Sequence, residues 1–148
     1  MQQNALTELE ELTLNAASKS FLKETAKWSY FLSIIGFIFV GLMIVFSFFA
    51  GTIFNSLPNM EQMPFDIGPI MTGTYLLLSL IYFFPILYLF QFSVKMKKAL
   101  QSKDDADLAT AFEKLKSHYK FVGVLTIIIL SIYVLFFIMA IFGAAVTG

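Results

Sequence analysis

Three apolar runs, residues 28–50, 71–94 and 121–145, alternate with polar stretches along the chain, and none of them contains Asp, Glu, Lys, Arg or His. Each is longer than the roughly 20 residues an α-helix needs to cross the hydrocarbon core of a bilayer. The pattern predicts an all-α membrane protein: three transmembrane helices, with an amphipathic N-terminal helix and a cytoplasmic helical extension before the third span. Taking the runs away leaves pieces too small to bury a core of their own, so residues 1–148 read as a single membrane domain. Its parts are an amphipathic arm (1–27), the first span (28–50), an outer loop (51–70), the second span (71–94), a basic helical connector (95–120), the third span (121–145) and an outer tail (146–148).

In the arm, Leu6, Leu9 and Leu12 recur at helical spacing, and Thr7 with Glu10 has the form of a capping box. Phe21 and Leu22 continue an apolar side between Lys19 and Lys23, as in a helix lying on the inner membrane face; the competing reading is a frayed polar arm. The first span opens on Trp28 and Tyr30, residues suited to the membrane interface. Ser29, Ser33, Gly36, Val40 and Ser47 then share one stripe, and small residues of this kind let transmembrane helices approach closely. In the second span Pro85 removes an intrahelical hydrogen bond and crowds the carbonyl of Ile81, which predicts a kink there, static or serving as a hinge. Tyr75, Ser79, Tyr82 and Ser93 share a face, while Gln91 lies elsewhere near the inner end. In the connector, Asp104 or Asp105 can cap the next helix and Asp107 suits its first turn; Leu108, Phe112, Leu115 and Tyr119 form the expected apolar stripe. The third span carries a smaller, more polar stripe of Thr126, Tyr133, Phe137, Ala140 and Ala144. The helix-packing candidates are therefore Ser29, Ser33, Gly36, Ser47, Ser79, Tyr82, Pro85, Gln91, Tyr133 and Ala140. Apolar residues among the turn formers of the outer loop predict that it folds over the headgroups, or serves as a lid over a cavity.

Charge placement sets the orientation. All ten basic residues are Lys, in two groups, 19–27 and 95–120, and the outer loop holds only Glu61 and Asp66. Lysine excess marks the cytoplasmic side, giving a multi-pass protein of the inner (cytoplasmic) membrane with its N-terminus inside and its C-terminus outside. Lys95, Lys97, Lys98 and Lys120 are the candidates for lipid-headgroup contact. Glu8, Glu10 and Glu11 stand where a signal peptide needs basic residues, so the first run reads as an uncleaved anchor.

The candidate chemistry is thin. There is no Cys, hence no thiolate nucleophile or thiolate metal ligand. Transporters usually place ionisable groups in their spans, and the three runs have none. Asp104, Asp105 and Asp107 resemble a carboxylate cluster for Mg²⁺ and His118 a base, but helix capping and an interfacial position explain them more simply. The expectation is no enzyme, no catalytic residue, no cofactor and no metal. The lysines are too few and too mixed with acids for nucleic acid. What remains is a non-enzymatic membrane interaction or scaffold subunit, with membrane lipid, a second copy of the chain or another membrane protein as partner. The alternative is a small oligomeric channel or transporter component for a neutral solute.

Three segments together resemble a family: Thr25-Ala26-Lys27-Trp28; Tyr82-Phe83-Phe84-Pro85 with Leu89-Phe90-Gln91-Phe92-Ser93; and Asp107-Leu108 through Ala111-Phe112-Glu113-Lys114-Leu115-Lys116 to Phe121-Val122-Gly123. They resemble small bacterial inner-membrane proteins grouped as a domain of unknown function, across nearly the whole chain. The resemblance implies a bacterial membrane location and about three helices. It brings no activity, ligand or functional residue.

Overall fold

Helix starts and stops follow from local chemistry. In the computed structural model, which describes residues 14–58 and 64–147, Asn15 accepts a hydrogen bond from the Ser18 N–H and opens α1 (Ala16–Asn55). The expected Thr7–Glu10 capping box lies outside the described residues. Asp66 opens α2 (Ile67–Ser102) by accepting from the Gly68 N–H. Lys103 then takes a left-handed conformation, φ 56°. Asp104 accepts from the Ala106 N–H at 2.8 Å to start α3 (Asp105–Thr147), so of the two expected caps Asp104 is the one used. The α1 helix runs unbroken from the arm into the first apolar run, and α2 continues through Pro85.

The helices have 40, 36 and 43 residues. At about 1.5 Å per residue each is roughly twice as long as a 30 Å hydrocarbon core is thick. All three contain stretches long and apolar enough to cross a membrane. They stand in a row: α2 packs along both neighbours, whereas α1 and α3 hardly touch.

Close approach of α1 to α2 depends on small side chains. Ser29, Ser33, Val40, Ser47 and Ala50 of α1 are buried, as is Ser79 of α2. A Cβ on Gly36 would stand 2.9 Å from the Ile86 side chain, so only glycine leaves room there. The hydroxyls of Ser33, Ser47, Ser79 and Ser93 each donate to the carbonyl three residues back, at 2.6–2.7 Å. These serines therefore act as small spacers already satisfied within their own helices. Aromatic pairs Phe46–Tyr75, Phe37–Phe83 and Tyr30–Phe90 fill the rest of the seam.

The buried core lies at the lysine-rich end. Ala26 of α1, Phe92 and Met96 of α2 and Ala111 of α3 are fully buried, with Leu22, Leu89, Leu100, Leu108 and Leu115 packed around them. One expectation is corrected here. The α3 stripe that faces the core runs through Leu108, Ala111, Leu115 and His118, whereas Phe112 and Tyr119 are 43% and 67% exposed. The small Ala111 lets α3 sit close against Phe92 and Met96, and that contact turns the larger rings outward.

Candidate functional site

Polar contacts between helices concentrate around this core. Asp107, 9% exposed, faces α2, where Lys98 Nζ lies 2.7 Å and Lys95 Nζ 3.9 Å from its oxygens. The Asp107 carboxylate holds the exposed Lys98 ammonium above the ordinary lysine value. Lys97 turns the other way, with Nζ 4.2 Å from the centre of the Tyr30 ring on α1, in cation–π position. Higher up, His118 Nδ1 lies 2.7 Å from the carbonyl oxygen of Pro85. A carbonyl only accepts, so Nδ1 carries the proton in this bond. Phe84 and Phe121 stack beside it, centroids 6.1 Å apart.

A second polar cluster closes the opposite end of the α1–α2 pair. Asn55 Nδ2 donates to Asp66 Oδ1 at 3.1 Å, tying the end of α1 to the start of α2. Beside it an open cleft of about 830 Å³ is lined by Phe48, Thr52, Asn55, Asp66, Thr72 and Leu76. Residues 59–63 of the loop, expected to fold over the headgroups or form a lid, lie outside the described residues.

The helix-packing candidates distribute unevenly. Ser29, Ser33, Ser47, Ser79 and Pro85 are buried, and Gly36 and Gln91 half-buried. Gln91 turns its Oε1 inward with no hydrogen-bond partner among the described residues. Tyr82, Tyr133 and Ala140 are exposed. Of the headgroup candidates, Lys95 and Lys98 attend Asp107 and Lys97 the Tyr30 ring, leaving Lys120 exposed and without an ion pair among the described residues. Sequence reasoning missed the Lys98–Asp107 pair and the His118–Pro85 bond. A turn of Lys103 and Asp104 between helices was the available signal for the first; nothing in the chain pointed to the second.

This is a helical protein of the multi-pass membrane class: all-α among its described residues, with three helices of membrane-crossing length and composition. Residues 70–141 match a family described as a "Family of unknown function (DUF5362)". The match takes in most of α2 and α3, a narrower span than the nearly full-length resemblance read from the sequence, and Thr25–Trp28 falls outside it. No curated protein and no solved structure matches the chain.

Proposed function

We propose that this protein is a non-enzymatic interaction subunit of a bacterial inner membrane, acting through helix contacts within the bilayer. Its lysines support an orientation with the N-terminus and the α2–α3 turn in the cytoplasm and the C-terminus outside.

The observation that carries the reading is the state of the outer half of α3. Residues 126–143 are all exposed, and Tyr133, near the middle of that apolar run, is 65% exposed, its hydroxyl without a hydrogen bond among the described residues. In hydrocarbon an unpaired hydroxyl is costly, and lipid chains offer it no partner. Thr126, Tyr133 and Ala140 recur every seven residues, with Gly123, Leu130 and Phe137 three residues before each of them. That seam gathers Gly123, Thr126, Tyr133 and Ala140, with Leu130 and Phe137 between them, on one side of a helix rich in Ile, Leu and Phe; small and polar residues of this kind mark helix–helix contacts in a membrane. A parallel second copy would bring each seam residue against its own counterpart, and a tyrosine hydroxyl can both donate and accept.

A transport path draws less support. The hydroxyls of Thr74, Thr126 and Ser131 donate to their own helix backbones at 2.8–2.9 Å, like the buried serines, instead of facing a shared lumen.

The absence of Cys from the chain makes cross-linking a direct test. Thr126→Cys, Tyr133→Cys and Ala140→Cys are each oxidised in native membranes, with Ile128→Cys and Leu135→Cys as off-seam controls. Dimers at the seam and not at the controls are the expected result and identify a second copy. No cross-link, with a stoichiometric partner recovered in mild detergent, would assign the seam to another membrane protein. No cross-link and a lone monomer would sink the interaction reading.

A further inference from the structure

Contacts along the row fix which residues stand at the same height. Gly36 sits on Ile86 and Tyr30 on Phe90, so Trp28, at the inner end of the first apolar run, is level with Val94, at the inner end of the second. Phe84 sits on Phe121 and Pro85 on His118. The third apolar run therefore begins level with Phe84, ten residues from Val94, which is about 15 Å further out along the helix axis.

The same displacement shows on the surface at both ends. Level with Gln91, α1 exposes Phe31 (54%) while α3 exposes Glu113. At the other end the α1 helix carries Ser56 and the Asn55–Asp66 bond, and the α2–α3 register extended along the axis brings Ile138 (43% exposed) and Met139 (59%) to the height of Asp66. An upright row would strand Phe31 and Trp28 in water or sink Glu113 and Lys116 in hydrocarbon, and would do the converse at the other end. Both mismatches have the same sign, so one rotation removes both.

We propose that the row of helices sits obliquely in the bilayer, tilted by roughly 40° in the plane of the row, at the upper end of the 0–40° seen for membrane helices. The parts brought within the hydrocarbon layer are then the inner part of α1 (Trp28, Phe31, Leu32) and the outer part of α3 (residues 136–142), with Lys116 and Lys120 at the inner headgroup phosphates. The angle follows from the offset between the two outer helices. Adjacent helices pack about 8–10 Å apart, so α1 and α3 stand about 16–20 Å apart in a straight row, and a 15 Å offset between them requires about 37–43°. Apolar runs of 23–25 residues are about 34–37 Å long, enough to span a 30 Å core with some tilt. This placement rests on the membrane-spanning reading and is independent of what the α3 seam binds.

Four exposed positions test it, each as a single Cys carrying a spin label in phosphatidylcholine vesicles: Phe31→Cys with Glu113→Cys, and Ser56→Cys with Ile138→Cys. Depth is read from accessibility to oxygen and to a nickel chelate. The expected result is that Phe31 and Ile138 lie in hydrocarbon and their partners in water, each pair differing by about 11–12 Å in depth for outer helices 16–20 Å apart. Equal depth within each pair would overturn the tilt while leaving the spanning reading intact. Water access at all four would overturn both. In the unsubstituted chain, strong quenching of Trp28, the single tryptophan, by brominated acyl chains is expected; an unquenched Trp28 counts against the oblique placement.

Discussion

Gly36 shows how a single missing Cβ governs this packing. The stripe of Ser29, Ser33, Gly36 and Ser47 faces a helix of the same chain, with Ile86 filling the notch over Gly36. Leucine at that position would push against a β-branched side chain held between two helices. Gly36→Leu is expected to cost about 1–3 kcal/mol, as overpacking of a close contact does. Ile86→Ala in the same background should return part of that loss. Unfolding in mixed micelles measures both, and a double-mutant cycle without coupling would remove this contact from the account. Loss of an assembly in Gly36→Leu would report first on the fold of the chain itself.

At the scale of elements, α3 has two unlike halves. Its inner half is held to α2 by Leu108, Ala111 and Leu115, by the Asp107 carboxylate and by His118 on the Pro85 carbonyl. Its outer half touches nothing described that buries it. The ion pair gives the inner half a pH signature. Asp107 raises Lys98 above the ordinary value of 10.5, so the pair contributes fully below that pH and is lost as pH rises through the higher folded value. The thermal midpoint of the wild type should therefore exceed that of Asp107→Asn at neutral pH, and the gap should close above pH 10.5. A gap that persisted unchanged into that range would show that the pairing with Lys98 is not its source.

For the whole molecule, stability is concentrated at one end of a long row. Phe92 is fully buried where three helices meet, whereas Phe137 is 68% exposed on α3. Phe92→Ala is expected to cost about 3–5 kcal/mol, the usual loss for a core phenylalanine. Phe137→Ala should change the stability of the isolated monomer by no more than about 0.5 kcal/mol. Chemical denaturation in detergent at low protein concentration separates the two. A larger Phe137→Ala effect that appears only as protein concentration rises would belong to association through the α3 seam.

The class of the protein and its three helices were legible in the chain, because uncharged runs of 23–25 residues have few other ways to satisfy their backbones in a bilayer. The small stripe on α1 was legible for the same kind of reason: spacing at 3.6 residues per turn and side-chain size are properties of the sequence. Where the stripe docked was not, because any helix could have filled it. Register, too, came only from the tertiary structure. Each apolar run marks its own ends, but how far one helix slides along the next depends on contacts such as Phe84 on Phe121 and Lys98 on Asp107. Asp104 marked the start of the next helix, but Lys103 lacks the glycine that announces a left-handed helix end, so the tightness of the turn that sets the α2–α3 register was not legible. The apolar face of inner α3 turned by one position for a similar reason, since Ala111 gains its place from the partner it approaches and not from its own hydrophobicity. Local periodicity determined the elements; side-chain fit between them decided which residues meet, which stand exposed, and which heights they share.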